Sequence, residues 1–150
     1  MASSFVSCNL HCIFSTKQRR NLIFRDMQQR LWAYLGGVAR DQDIICLSAG
    51  GVENHVHMLL AMPSTITIAR ALQLIKGNSS KWISDTFPSA ESFEWQKGYG
   101  AFSVGSSQIK VVRAYIEGQE EHHGSTTFEE EYLAFLDRYG IECDERYVFG

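Results

Sequence analysis

The stretch VENHVHMLLAM, residues 52–62, constrains this 150-residue chain more than any other. It is an apolar run far shorter than a membrane span, and it carries two histidines one residue apart. Side chains of a strand alternate between faces. His55, His57 and Leu59 therefore share one face, and Val56, Met58 and Leu60 share the other. A lone buried histidine is usually a core residue with one satisfied hydrogen bond. Two on one face need several polar partners, since an unpaired buried polar group costs about 1–3 kcal/mol. A shared metal ion would satisfy both.

Around this stretch the chain reads as alternating strands and helices. SFVSCNLHCIFST (4–16) alternates and is rich in strand formers. Residues 19–37 predict a helix: Leu22, Ile23, Met27, Leu31, Trp32 and Leu35 recur at helical spacing, and Gly36–Gly37 marks its stop. A second strand over 42–51 and a third over 52–62 are placed to pair as a hairpin. Pro63 ends the third strand, and Ser64 or Thr65 caps a helix reaching Thr86. Residues 87–100 read as a loop and 101–105 as a short fourth strand. A helix over 106–123 is capped by Ser106 or Ser107. A last one over 126–140 has Phe128, Tyr132, Leu133, Phe135 and Leu136 apolar. The order β-α-β-β-α-β plus two helices matches an α+β, ferredoxin-like split-βαβ sandwich, an antiparallel sheet with helices. That fold names no function.

The length suits one domain over 1–150, and the 45% hydrophobic and 21% charged fractions are those of an ordinary globule. No apolar run reaches a membrane span, and the N-terminus lacks a basic segment followed by an apolar one, so the expected compartment is the cytoplasm. Cys8, Cys12, Cys46 and Cys143 form no CxxC pair. Cys8, Leu10, Cys12 and Phe14 alternate as one apolar face, which predicts buried free thiols rather than half a zinc site. The net charge of −3 is unevenly spread. Residues 1–113 hold 12 Lys and Arg against 7 Asp and Glu, a net of +5; residues 114–150 hold 2 against 10, a net of −8. Either the C-terminal helix is simply a solvated acidic one, or a basic body meets phosphates while acid is kept on the far side.

A third partner for the histidines is found on the helix over 106–123, where Tyr115 and Gln119 lie one turn apart on one face. His-hydrophobe-His on a strand, followed by Tyr-x-x-x-Gln on a later helix, resembles the single-tyrosine HUH transposases of the insertion-sequence 200/605 group. The likeness spans nearly the whole chain through IFSTKQRR, GVENHVHMLL, WQKGYGAFSVG, YIEGQEEHH and YGIECDERYVF, in that order. It implies a nuclease that nicks and rejoins single-stranded DNA at hairpin ends through a 5′-phosphotyrosine link, without a nucleotide cofactor. It implies Tyr115 as nucleophile on the C-terminal helices. It also implies a divalent cation, Mg2+ or Mn2+, on His55, His57 and Gln119. Ligand softness alone would favour zinc there. The resemblance further implies a homodimer in which one subunit's tyrosine helix serves the other's histidines. Gly105 and Gly118 permit such a helix to move. DNA bound to the chain is expected to place it at the nucleoid.

Other polar residues carry expectations of their own. His122 and His123 fall where the helix ends and suit that dipole as cations. His11 shares a strand face with Ser7 and Asn9 and reads as a core histidine. Asn54 points away from the histidine face. For DNA, the chain offers Lys17, Arg19 and Arg20 at the exit of the first strand and Lys76, Ser79, Ser80 and Lys81 along a helix. It also offers Lys97 between Trp95 and Tyr99. Three competing readings share the same residues: a replication-initiator or relaxase-type HUH nickase, a domesticated relative acting on chromosomal repeats, and a ferredoxin-like nucleic-acid-binding module without chemistry. The first commonly has a third histidine ligand and a longer chain; the last would not need Tyr115 and Gln119 in register.

Overall fold

A computed structural model of the chain describes residues 3–90 and 92–149. Strands β1 (Asn9–Ser15), β2 (Ile45–Val52), β3 (His55–Ala61) and β4 (Gly100–Val104) form one sheet in the order β2-β3-β1-β4. All neighbours are antiparallel. With α1 (Arg25–Asp41) between β1 and β2 and α2 (Ile68–Thr86) between β3 and β4, this is the expected ferredoxin-like order.

The two faces of the sheet differ because side chains alternate. Leu10, Cys12 and Phe14 of β1 and Val56, Met58 and Leu60 of β3 point to the side covered by α1 and α2. There they join Met27, Leu31, Leu35, Leu72 and Ile75 in the main core. His11, Ile13, His55, His57 and Leu59 point to the opposite side. That side is covered by α3 (Ile109–Glu117), α4 (Gln119–His122) and α5 (Phe128–Arg138). Ile13 and Phe102 pack against Phe128, Tyr132, Phe135 and Leu136 of α5. Thr127 and Glu130 close a capping box at its start.

Several boundaries differ from expectation, each for a local reason. The first strand begins at Asn9, not residue 4, because pairing with β3 and β4 begins there. Gln18 and Arg19 take left-handed backbone angles in a short 3-10 turn, so α1 starts only at Arg25. It then runs through Gly36–Gly37 to Asp41, since a glycine weakens a helix without stopping it. Thr67, not Ser64 or Thr65, caps α2, accepting from the Arg70 amide at 3.1 Å. Glu53 and Asn54 form the hairpin turn between β2 and β3. The helix expected over 106–123 is a 3-10 turn, then α3 and α4 separated at Gly118. In the loop over 87–100, whose residue 91 lies outside the described residues, Pro88–Ala90 form a 3-10 turn and Trp95 bridges to Thr16.

That loop also reassigns two residues expected at a DNA surface. Ser79 is fully buried and accepts from the Trp95 indole N–H at 3.0 Å. The Lys76 ammonium turns inward and donates to the Gln96 and Gly98 carbonyls, each at 2.7 Å. Both groups hold the loop. Ser79→Ala leaves a buried indole N–H without its acceptor, and should lower unfolding free energy by about 1–3 kcal/mol in a denaturant titration. Cys12 is buried and its thiol pKa is pushed up to about 12 by that burial, whereas Cys8 and Cys143 are exposed. The expectation of a buried thiol therefore fails at Cys8, which precedes the paired part of β1. A thiol-titrating reagent should modify Cys8 and Cys143 in the folded chain and reach Cys12 only on unfolding.

Candidate active site

His55 and His57 are fully buried on β3, and register places His57 opposite Ile13 and His55 opposite Ser15. Two glycines let helices close over them. A Cβ on Gly50 of β2 would lie 2.9 Å from the Ile116 carbonyl, so α3 approaches the sheet only because that position has no side chain. Gly118 then ends α3, with φ −94° and ψ 17°, and turns the chain into α4. Tyr115, half-buried, comes from α3. Gln119, buried, comes from the first position of α4.

The structure brings the four residues read from the sequence together. The Gln119 Oε1 lies 3.2 Å from His55 Nε2. The Tyr115 ring centroid is 5.7 Å from that of His57 in the same chain. Asn54, expected to point away, instead offers its Oδ1 to His55 Nδ1 at 2.8 Å. The His55 Nδ1–H donated there leaves Nε2 as a lone pair facing inward. His11 Nε2 meets His57 Nδ1 at 2.7 Å, one ring donating to the other.

Two residues that the sequence did not mark as site residues complete the cluster. Glu131 of α5 is buried, and its Oε1 lies 3.0 Å from His57 Nε2, 3.2 Å from His123 Nε2 and 3.4 Å from His55 Nε2. Its Oε2 accepts from the Tyr115 hydroxyl and lies 3.3 Å from His122 Nε2. His123, expected as a helix-end cation, anchors its Nδ1 on the Thr126 carbonyl at 2.6 Å and turns Nε2 into the cluster. That nitrogen is buried and has no hydrogen-bond partner; its 3.2 Å separation from Glu131 lacks the alignment of one. His122 likewise leaves its expected role, meeting the Tyr115 hydroxyl at 3.2 Å. Glu131 had one sequence signal. It falls between Phe128 and Phe135 on the apolar stripe of its helix, where a carboxylate needs a reason.

Electrostatics follow from burial and from this carboxylate. Burial lowers the His11 pKa to about 3, helped by His57, and that of His55 to about 4, so both rings are neutral at pH 7. Burial would also lower His123, but Glu131 outweighs it and raises that ring. Burial would raise Glu131, yet the imidazoles of His123, His55 and His57 hold it far below the carboxylate range. Burial first, and then Glu131, push the Tyr115 phenol above its ordinary value.

The donor set fits a cation. His55, His57, His123 and Glu131 each offer a ligand atom, all within 4.8 Å of one another. Ligands held at about 2.0–2.2 Å from one ion stand roughly 3.0–3.5 Å apart at adjacent positions, the range of the Glu131 Oε1 separations. Neutral imidazole is the ligating form.

The residues expected to meet DNA are scattered. Lys17 and Lys97 line one groove of about 230 Å³, with Lys17 paired to Glu94 at 2.7 Å. Arg20 and Lys97 are exposed. Arg19 pairs with Glu129 at 3.0 Å and lies 4.8 Å over the Phe149 ring. Lys81 pairs with Asp85, and the Ser80 hydroxyl returns to the Gly77 carbonyl. Trp95 is buried in the core rather than open to a base. Within the acidic segment 114–150, Glu129 and Glu120 pair with Arg19 and Arg25 of the basic segment 1–113.

The chain is similar to known proteins in sequence and in fold. Residues 4–119 match the family model described as Transposase IS200 like. The transposases for insertion sequence element IS200 of Salmonella typhimurium and Salmonella typhi are each 26% identical over 121 residues, covering 77% of this chain and 78% of theirs. In fold, a crystal structure of a candidate transposase from Deinococcus radiodurans superposes with a TM-score of 0.64 at 20% identity, covering 79% of this chain and 95% of that one. A REP-associated tyrosine transposase bound to a REP hairpin superposes with a TM-score of 0.61 at 14% identity, covering 84% and 74%. The match extends from before the first strand through Gln119, and the chain belongs to the IS200-like transposase family.

Proposed function

We propose that residues 1–150 form a single transposase domain, a metal-dependent endonuclease and strand transferase for single-stranded DNA with hairpin ends. The observation that carries this reading is the convergence of Tyr115, His55, His57 and Gln119 on one face of the sheet. Tyr115 is the nucleophile. Its phenolic oxygen bonds to the scissile phosphorus while the bond from phosphorus to the 3′-oxygen breaks. The 3′-oxygen leaves with the electron pair and, in balance, takes up the proton that the phenol loses. The product is a 5′-phosphotyrosine and a free 3′-hydroxyl. The link conserves the phosphodiester bond for rejoining, so no nucleotide cofactor is needed. A divalent cation, Mg2+ or Mn2+, held by His55, His57 and Gln119 would polarise a phosphate oxygen when bound.

The chain's own residues set the ground state. Burial and Glu131 raise the Tyr115 pKa, so the phenol carries its proton in the resting site. Beside it opens a cavity of about 290 Å³, lined by His11, Tyr115, His122 and Glu131, with Arg138 at the rim as a cation for a phosphate. The hairpin-bound REP-associated transposase, similar in fold, supports DNA as the partner. Arg20 and Lys97 are exposed cations open to its backbone. No helix among the described residues is long and apolar enough to cross a membrane, and a chain acting on DNA works in the cytoplasm at the nucleoid.

Tyr115→Phe should fold, bind Mn2+ and hairpin DNA, and form no covalent adduct on a denaturing gel. His55→Ala and His57→Ala should lose Mn2+ in calorimetry. A retained adduct in the phenylalanine chain would reject the nucleophile.

The chain works as a homodimer in this reading, and the 5.7 Å between the Tyr115 and His57 ring centroids within one chain supports a site built by each protomer rather than one shared across the pair. Mixing a Tyr115→Phe chain with a His55→Ala/His57→Ala chain tests this. After demonstrated subunit exchange the mixture should remain inactive; recovered cleavage would mean that the tyrosine helix crosses to the partner.

A further inference from the structure

We propose that Glu131 is a bridging carboxylate: its Oε1 ligates the cation together with His55, His57 and His123, while its Oε2 holds the Tyr115 hydroxyl. The proposal rests on the metal-dependent tyrosine reading and adds α5 and the end of α4 to the site.

Three observations point to it independently of Gln119. First, three imidazole nitrogens, two from β3 and one from the residue that caps the end of α4, converge on one oxygen of a single carboxylate, at 3.0, 3.2 and 3.4 Å. Hydrogen bonding alone does not call for that, because one carboxylate oxygen has about two lone-pair directions. Second, the His123 side chain is more than nine-tenths buried and its Nε2 has no hydrogen-bond partner, although Thr126 holds the ring in place from behind. A nitrogen fixed and left unpaired in this way is a ligand position. Third, Oε2 reaches the nucleophile on α3, so both ends of one carboxylate are engaged.

The chemistry of the donors changes with this addition. His55, His57 and Gln119 are all neutral and offer a doubly charged ion little electrostatic stabilisation. Glu131 supplies a full negative charge and a hard oxygen. With His123 the set becomes three imidazoles and a carboxylate, suited to a first-row ion such as Mn2+. Because Oε1 and Oε2 share a rigid plane, ion and phenol are set relative to each other by one side chain. Movement of α5 alters both at once.

The test uses the full chain and Mn2+ as the probe, with binding read by calorimetry and folding by circular dichroism. Glu131→Gln preserves size and removes the charge; it should weaken Mn2+ binding at least tenfold, on the scale seen when metal-site partners are lost. His123→Ala, at the end of the short α4, should also weaken it and provides a second reading if Glu131→Gln does not fold. Binding within twofold of the parent in the folded variants, while His55→Ala has lost it, overturns the proposal and leaves the His55, His57 and Gln119 reading intact. Undiminished binding in His55→Ala and His57→Ala overturns both. The bridge has its own readout. At saturating Mn2+, Glu131→Gln should still form the tyrosine adduct about tenfold more slowly, with unchanged affinity for a hairpin oligonucleotide. Full recovery of the rate would make Glu131 a ligand only and reject the bridge.

Discussion

Two imidazoles on one face of a β-sheet cannot be buried without polar partners, and the helical layer over β1 and β3 is built to satisfy that demand. The opposite face needs only apolar packing from α1 and α2. On the histidine face, Asn54 and His11 occupy the Nδ1 positions of His55 and His57, which leaves both Nε2 atoms directed into one small volume. Gln119, His123 and Glu131 fill that volume from above. Ile13, Phe102 and the aromatic side chains of α5 form a ring of apolar packing beside it. That packing excludes water and strengthens every charge interaction inside.

The same demand explains why the covering layer is broken into short helices. A single straight helix over 106–123 would keep Tyr115 and Gln119 on one face and carry His122 and His123 past the sheet. The break at Gly118 instead turns α4 so that His123 faces the cluster while Tyr115 remains beside His57. Gly50 allows α3 to approach closely enough for this. The three helices thus supply Tyr115 from α3, Gln119 from α4 and Glu131 from α5, with His123 just past the end of α4. Their positions are held by apolar neighbours such as Ile116, Phe128 and Phe135 rather than by the polar groups themselves.

Much of this was legible in the chain. Period-two alternation located the histidine face, and strand and helix order led to the ferredoxin-like arrangement, because both signals are local. Tyr115, His55, His57 and Gln119 are marked by the likeness to the single-tyrosine HUH transposases, whose motifs are short enough for a local pattern to carry. Glu131 is not, because its significance depends on a strand 74 residues away, and only its place on an apolar stripe hints at it. His123 suits the dipole at the end of one helix over 106–123; the break at Gly118 gives it another direction. Lys76 and Ser79 looked like surface groups because helical spacing does not say which polar residue faces a neighbouring loop. The Trp95 indole and two backbone carbonyls decided that.

The charge asymmetry also changes meaning once the chain is folded. Part of the net of −8 over residues 114–150 is met within the fold. Glu131 is consumed by the histidine cluster, and Glu129 and Glu120 face Arg19 and Arg25. The Arg25–Glu120 pair is largely solvent-exposed and the Arg19–Glu129 pair partly so, and pairs open to water contribute little to stability. They therefore do not hold α4 and α5 against the sheet; Phe128, Tyr132, Phe135 and Leu136 do. A polyanion reaching this side would meet arginines that are already paired, but paired weakly enough for phosphates to replace the glutamates. The buried carboxylate is different. Glu131 is nearly inaccessible and surrounded by imidazoles, so no phosphate can exchange with it. The two kinds of acidic residue divide accordingly, with exchangeable glutamates at the rim and a fixed one beside the tyrosine.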